Sequence, residues 1–167
     1  PEFSVAAAIT PSTGVTTSSD LLCSATATDA DGGTPELSFA WQNTTAGVSL
    51  GIVEAITLAA SSSSPADDIS CTVTATDSDG GAATSMASVE VENTAPTIES
   101  TAPAADTLIN DGTTVTFAAT ASDDDEDESD LAVNWSSSID GALGTGTSVS
   151  TSTLSTAVHS VTATVTD

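Results

Sequence analysis

The sequence predicts an all-β chain made of two consecutive antiparallel β-sandwiches, and three observations support this prediction. Short runs alternate strictly between apolar and polar side chains, as in residues 21–28 and 69–76, which is the period of a strand with one buried face. Turn residues separate these runs at the spacing of about 8–12 residues that is typical of all-β sandwiches. The run at 21–31 also recurs in altered form at 115–125, so the chain carries two copies of one unit.

The charge balance restricts the classes of partner. The chain has no Lys and no Arg against 24 Asp plus Glu, which gives a formal net charge of −24. We expect no nucleic-acid partner, because proteins neutralise phosphates with Lys and Arg, and an anionic membrane surface is disfavoured for the same reason. The sequence also has no apolar run of about 18 residues, so we expect no direct insertion into a membrane.

The two copies align through their second and third strands. The segment LLCSATATDAD matches VTFAATASDDD, which places Cys23 on Phe117. The same offset places Trp41 on Trp135, and strand parity turns both tryptophans inward. We therefore predict that the two tryptophans are core residues of successive domains.

A second alignment sets the domain limits. The segment ISCTVTATD matches HSVTATVTD, which places Cys71 on Val161. A short linker around Pro96 divides the copies, and we predict domains at 1–94 and 95–167. The second copy lacks its last strand, so either the chain continues or a strand from a neighbouring molecule fills the gap, as in donor-strand fibres.

The order Cys, Trp, Cys over about seven short strands is typical of an immunoglobulin-like sandwich. Cys23 and Cys71 both fall on inward positions of facing sheets, so we predict a disulfide packed against Trp41. In the chain-entropy model such a bridge contributes about 4 kcal/mol, and it implies an oxidising compartment. The alternative is two buried free thiols. In the second copy Phe117 and Val161 would replace the bridge.

At this level the chain resembles the tandem immunoglobulin-like and polycystic-kidney-disease-type (PKD-like) repeats of large bacterial cell-surface and secreted proteins. The resemblance rests on the segment CTVTATDSDGG, on ASVEVENTAPTI and on the second and third strands of each copy, and it covers essentially the whole chain. It implies an extracellular location, and a structural part in a stalk, filament or adhesin arm. The implied partners are neighbouring repeats of the same polypeptide or further copies of it in a fibre.

Acidic loops at one pole of the first domain are a candidate metal site. In an immunoglobulin-like sandwich the loop after the second strand meets the loop after the sixth. This topology brings Asp29 and Asp31 beside Asp77 and Asp79. Carboxylate oxygens and a following Gly are features of Ca²⁺ loops, whereas Asp-Gly and Gly-Gly are also ordinary turn sequences. These acidic loops therefore have two interpretations, a Ca²⁺ site or solvated turns.

A second group of acidic residues is expected at the domain junction, where it resembles the Ca²⁺-stiffened linkers of cadherin-like repeats. The loop DDDEDESD has seven carboxylates in eight residues, and we expect it to face an acidic linker and an acidic turn. The alternative is a solvated, flexible loop. The candidate ligands are Asp67, Asp68, Glu92, Asn93, Asp123, Asp124 and Asp125.

The residue types disfavour an enzyme. His159 is the only histidine, and there is no Lys, Arg or Tyr, so most acid–base and nucleophilic sites cannot be assembled. We expect His159 to be a partly buried strand-edge residue that aligns with Ile69. Paired carboxylates for glycoside hydrolysis are the enzymatic alternative. Another alternative function is an accessory carbohydrate- or protein-binding module of a secreted protein.

Asn43 and Asn134 begin Asn-x-Ser/Thr sequons.

Overall fold

The structure is a computed structural model that describes residues 1–125 and 130–167, and within these ranges the chain consists of β-strands joined by loops and turns. The chain divides into two units, Pro1–Asn93 (unit 1) and Thr94–Asp167 (unit 2). Each unit has its own hydrophobic core. The prediction of an all-β chain with two immunoglobulin-like sandwiches is confirmed.

Unit 1 is a sandwich of a three-stranded and a four-stranded antiparallel sheet. The sheet orders are β1-β2-β5 and β4-β3-β6-β7. The strands are β1 (Glu2–Thr10), β2 (Asp20–Thr28), β3 (Glu36–Asn43), β4 (Val48–Gly51), β5 (Ala55–Thr57), β6 (Asp68–Thr76) and β7 (Ala82–Glu90).

The alternating pattern decides which face of each strand is buried. Along β2, Leu21 and Cys23 are buried while Leu22 and the Ser and Thr residues face solvent. Because the side-chain period of a strand is two, each apolar residue on alternate positions adds to the same inner face. The Ser and Thr residues on the outer face of β2 are exposed, and β-branched threonine fits a pleated surface well.

The disulfide predicted between Cys23 and Cys71 is present at the centre of unit 1. Its two Cα atoms are 6.4 Å apart, and both cysteines are fully buried. Cys71 lies directly opposite Trp41 on the neighbouring strand β3. Trp41 is 1 % exposed, and its indole Nε1–H donates to the carbonyl oxygen of Val53 over 2.8 Å. The bridge therefore joins the two sheets beside the largest core side chain.

Unit 2 has the same plan with shorter strands. Its sheets have the orders β8-β9-β12 and β11-β10-β13, all antiparallel. Phe117 and Trp135 pack together in its core, with ring centroids 5.8 Å apart. The strands are β8 (Thr97–Ala102), β9 (Val115–Ser122), β10 (Ala132–Ser137), β11 (Gly141–Thr145), β12 (Ser148–Thr151) and β13 (Val161–Thr166).

The strand register corrects the alignment of the two copies near the sixth strand. In unit 1 Trp41 pairs with Cys71, and in unit 2 Trp135 pairs with Ala163. Ala163, and not Val161, therefore takes the position of Cys71. Val161 instead pairs with the last residue of β10, as Ile69 pairs with the last residue of β3.

The second strand needs the same correction. The N–H of Cys23 donates to the carbonyl oxygen of Glu54, and the N–H of Ala119 makes the same bond to Thr147. Ala119, and not Phe117, is therefore the counterpart of Cys23. Two alanines occupy the positions of the disulfide, while Phe117 fills the space beside Trp135 from a neighbouring position.

Candidate functional site

The first predicted Ca²⁺ site lies in the loops after β2 and β6. Asp29 Oδ1 accepts a hydrogen bond from the N–H of Asp31, and Asp77 Oδ1 accepts one from the N–H of Asp79, both over 2.9 Å. The two Asp-x-Asp sequences therefore form the same local turn, in which the first carboxylate caps the backbone two residues on.

The Oδ2 atoms of Asp29 and Asp77 face a common position. The amino group of Pro1 lies 3.3 Å from the former and 3.7 Å from the latter. The N–H of Asp31 holds the pKa of Asp29 below its usual value; partial burial opposes this effect, and the amino group of Pro1 reinforces it. Two of the four predicted residues thus converge, while Asp31 and Asp79 are exposed at the turn tips.

The Gly-Gly pair after Asp79 has a specific structural role. The N–H of Gly81 donates to Asp77 Oδ1 over 2.7 Å, and a Cβ at Gly81 would collide with the Asp77 carboxylate. Gly80 has a φ of +89°, a backbone region that side-chain-bearing residues rarely adopt. The sequence Asp-Gly-Gly therefore allows Asp77 to close its own loop against the start of β7.

The unit 1 residues of the predicted junction site are engaged within unit 1. Asp67 Oδ2 accepts hydrogen bonds from Asn43 Nδ2 over 2.6 Å and from the N–H of Ser64 over 2.9 Å. Glu92 Oε1 accepts one from the N–H of Gly14 over 2.7 Å. The Asp68 side chain is exposed, as is Asn93. These contacts order the chain around the end of β7.

The unit 2 residues of the junction site gather around Thr94, which the sequence did not identify. The Thr94 hydroxyl donates to Asp125 Oδ2 over 2.6 Å and lies 3.3 Å from Asp123 Oδ1. The N–H of Asp125 donates to Asp123 Oδ1, which repeats the turn seen at Asp29. Asp123 Oδ2 is buried and has no hydrogen-bond partner among the described residues. Asp124 is exposed.

The rest of the DDDEDESD loop is only partly described. Glu126, Asp127 and Glu128 belong to the predicted acidic cluster and lie outside the described residues. Within residues 1–125 and 130–167, no three His, Cys, Asp or Glu side chains are grouped closely enough to hold a metal ion. The Ca²⁺ sites stay predictions.

His159 joins two loops of unit 2 in a cluster that sequence reasoning missed. Its Nε2 lies 2.6 Å from the carbonyl oxygen of Ser155, so Nε2 carries a proton. In the neutral ring Nδ1 is therefore an acceptor, and the Ser137 hydroxyl donates to it over 2.8 Å. Asp140 Oδ2 lies 3.6 Å from the same Nδ1. The corrected register would have identified His159 as the counterpart of Asp67 rather than of Ile69.

The geometry of this cluster fits a role in holding the loops together and does not match that of a catalytic triad. In a Ser-His-Asp triad the nucleophile and the acid use opposite ring nitrogens, whereas Ser137 and Asp140 both approach Nδ1 of His159. Ser137 is buried, and its hydroxyl oxygen also accepts hydrogen bonds from two backbone N–H groups. Ser155 donates to Asp140 through both its hydroxyl and its N–H, and these bonds hold the pKa of Asp140 below its usual value.

The two sequons differ in accessibility. Asn43 is fully buried, and its Nδ2 donates to Ser62 and Asp67, so this side chain is not available to carry a glycan. Asn134 lies on the outer face of β10 and is exposed. Among the described residues no helix has the length and apolarity needed to cross a membrane.

Comparisons with known proteins identify no family for the chain. No protein-family model matches it, and no curated protein matches it. Among solved structures, the fibronectin(III)-like modules of Clostridium thermocellum CbhA are similar to it, with 19 % sequence identity and a TM-score of 0.33. The match covers 95 % of this chain and 86 % of that one.

Proposed function

We propose that the chain is a structural segment of an extracellular repeat protein, which acts as part of a stalk, filament or adhesin arm on a bacterial surface. In this role the sandwiches supply length and resistance to unfolding, and they carry out no chemistry. The acidic surface supplies solubility and repulsion from other anionic surfaces. PKD-like repeats are the type of module that fits this proposal.

The observation that supports a structural role most strongly is the use of the aromatic residues. All five aromatic side chains of the chain are inside the two sandwiches; Trp41, Phe117 and Trp135 are at most 6 % exposed, and Phe3 and Phe39 are mostly buried. The Nε1–H group of each tryptophan donates to a backbone carbonyl oxygen. A sugar-binding face would need exposed aromatic rings, so the accessory carbohydrate-binding alternative lacks its main requirement.

The disulfide supports the extracellular part of the proposal. Bridges between buried cysteines persist in oxidising compartments, whereas the cytosol keeps thiols reduced. Cys23 and Cys71 are the only cysteines of the chain, and both are in the bridge. A covalent link between facing sheets is also suited to a segment that bears load, because it prevents the residues between Cys23 and Cys71, about half of unit 1, from extending.

Trapping of thiols in cells tests the extracellular part of the proposal. Cells that produce the protein are quenched with acid, treated with an alkylating agent before and after reduction, and Cys23 and Cys71 are followed by mass spectrometry. The proposal predicts that both cysteines react only after reduction. It also predicts that a biotin-labelled antibody, which cannot enter intact cells, binds an epitope on the protein at their surface. Cysteines alkylated before reduction would contradict it.

Calcium binding is a separate proposal, which is favoured by the Oδ2 atom of Asp123, because this atom is buried and has no partner in the part of the chain that the structure describes. This oxygen lies in a loop with Asp124 and Asp125, where hard oxygen ligands are available. A bound Ca²⁺ would compensate the burial of the carboxylate, in a chain that has no Lys or Arg to do so.

A further inference from the structure

A groove lies on the outer face of the three-stranded sheet of unit 1, where β2 is flanked by β1 and β5. Its volume is about 230 Å³, and it is lined by the end of β1, the start of β2 and the whole of β5. Leu22 lies at its centre, opposite Thr10 on one side and Ala55 on the other. Because Leu21 takes the core position, strand parity turns Leu22 outward, and its side chain is 44 % exposed. The floor of the groove is therefore apolar and open to solvent.

One carboxylate borders this groove. Asp20 begins β2 and is exposed, and Thr57 lies opposite it in β5. The Thr57 hydroxyl donates to Asp20 Oδ1 over 2.6 Å, which holds the carboxylate at the wall of the groove. Since the chain has no Lys and no Arg, a basic side chain that pairs with Asp20 has to come from outside these 167 residues.

The same place in unit 2 has neither feature. The correspondence of the two second strands places Ala118 at the position of Leu22 and Thr116 at that of Asp20. The hydroxyl groups of Thr116 and Ser150 are hydrogen-bonded over 2.8 Å in place of the bond between Thr57 and the carboxylate. The sandwich therefore forms at this point without a leucine or an acid, and the fold alone does not account for the groove of unit 1.

Exposed apolar side chains continue directly before β5. Ile52 is 79 % exposed and Val53 is 56 % exposed. The backbone here is fixed, because the carbonyl oxygen of Val53 accepts the indole N–H of Trp41. The indole of the second tryptophan makes the same bond to Gly146, so the counterparts of these two residues are Thr145 and Gly146. The apolar surface beside the groove is thus also particular to unit 1.

We propose that the groove of unit 1 binds an arginine side chain of a partner polypeptide. A basic side chain combines an aliphatic stem with a charged end, and the groove offers an apolar floor beside a carboxylate. The stem lies on Leu22 and Ala55, and the guanidinium pairs with Asp20. Arginine fits better than lysine, because its planar group can donate two parallel hydrogen bonds to one carboxylate.

The partner is therefore basic, with apolar residues close to the arginine that can cover Val53. A second copy of the chain does not meet this description, since it has no Arg or Lys and carries a net charge of −24. The same net charge attracts a basic partner from a distance. This proposal goes beyond a structural role for the chain and does not depend on it.

A capped peptide of sequence LTRTL tests the proposal on the full chain. In an extended peptide the two leucines and the arginine point to the same side. The peptide is titrated at a salt concentration of about 0.15 M, which screens long-range attraction, and binding is followed by NMR. We expect amide shifts confined to residues 20–22 and 52–57. The control peptide has citrulline, a neutral analogue, in place of arginine, and it should bind about 5-fold more weakly because it lacks the ion pair.

Two pairs of substitutions exchange the features of the two units. Asp20→Thr with Leu22→Ala introduces the residues of unit 2, and it should weaken binding about 10-fold because it removes both the ion pair and the apolar floor. Asp111→Asn removes the same charge from an exposed turn and should leave binding unchanged. The reverse pair, Thr116→Asp with Ala118→Leu, should add a second set of shifts in unit 2. This second pair tests the site without altering unit 1.

Three results would overturn the proposal. The first is a parent chain whose amides in the groove do not shift at saturating peptide. The second is equal affinity for the arginine and citrulline peptides. The third is equal affinity of the parent and the variant with Asp20→Thr and Leu22→Ala, together with no added shifts in the reverse variant. In that case the net charge of the chain attracts the peptide and the groove does not bind it.

Discussion

Ala119 and Ala163 occupy, in unit 2, the positions that the bridged cysteines occupy in unit 1. Ala163 lies opposite Trp135 as Cys71 lies opposite Trp41, and the backbone bond of Ala119 to Thr147 matches that of Cys23. The equivalent pair of positions between the two sheets is therefore linked by a disulfide in unit 1 and is occupied by two alanines in unit 2.

The first prediction follows from this correspondence. The double variant Ala119→Cys with Ala163→Cys should form a disulfide on exposure to air, and it should raise the free energy of unfolding of unit 2 by up to about 4 kcal/mol in the chain-entropy model. Non-reducing mass spectrometry after alkylation counts the thiols. The matched control is Phe117→Cys with Val161→Cys, the pair given by the sequence alignment, which should keep both added thiols. A bridge in the control but not in the first variant would contradict the register.

The second prediction concerns Asn43, a buried side chain that holds the turn before β6. It donates to Ser62 and Asp67 and accepts from the N–H of Ala46. Asn43→Ala removes one partner from each of these groups, and a buried polar group that becomes unsatisfied costs about 1–3 kcal/mol. Urea unfolding followed by Trp41 fluorescence, in a Trp135→Phe background, should show a loss of this size. Gln42→Ala on the exposed outer face is the control, and equal effects of the two substitutions would disprove the role of Asn43.

The third prediction is a pH dependence from Asp140. Hydrogen bonds from Ser155 lower the pKa of Asp140 in the folded chain. Its stabilising effect is therefore fully present above the ordinary Asp pKa of about 3.9, and it is lost as the pH falls through the lowered folded value. Asp140→Asn should destabilise unit 2 at pH 7, and the difference from the parent chain should shrink below about pH 4.

Thermal unfolding followed by Trp135 fluorescence, in a Trp41→Phe background, measures this effect. The substitution Asp111→Asn at an exposed turn is a charge-matched control and should give the same stability as the parent at every pH. A destabilisation by Asp140→Asn that is unchanged at pH 2 would show that the carboxylate charge is not responsible.

The fourth prediction tests calcium. If a cation compensates the buried oxygen of Asp123, Ca²⁺ should raise the unfolding temperature of unit 2, with a Kd of about 10⁻⁴–10⁻³ M as in extracellular modules. Addition of a chelator should reverse the rise. Asp123→Asn should abolish the response, and Asp111→Asn should retain it. An unfolding temperature of the parent chain that does not respond to Ca²⁺ would remove the calcium proposal.

The fold could be predicted because the alternation of apolar and polar residues determines locally which face of each strand is buried. In β2 and β6 each residue's face follows from its parity, and the inward cysteines and tryptophan identify which strands face one another. The register of β13 could not be predicted in the same way. Its Thr residues recur at every second position, so a shift by two residues preserves every face and leaves the pattern equally satisfied.

The candidate sites could be predicted only in part, because some of their contacts are not marked by any pattern in the sequence. The convergence of Asp29 and Asp77 follows from the sandwich topology, so the sequence is sufficient to predict it. The contacts of Thr94 with Asp123 and Asp125 depend on the path of a loop, since these residues lie far apart in the chain. The sequence alignment, which is displaced by two residues, predicts His159 at a strand edge. Its partner in the structure is Ser137, the counterpart of Asn43.

The central claim is that the chain consists of two sandwiches that resist extension. Its most direct test is to pull the full chain by its ends with optical tweezers. We predict two discrete unfolding events. Reduction of the bridge should lengthen the unit 1 event alone, because it releases the 48-residue separation between Cys23 and Cys71, which is roughly 160–170 Å at about 3.3–3.6 Å per residue. Smooth extension without discrete events, or an unchanged unit 1 length after reduction, would contradict the account.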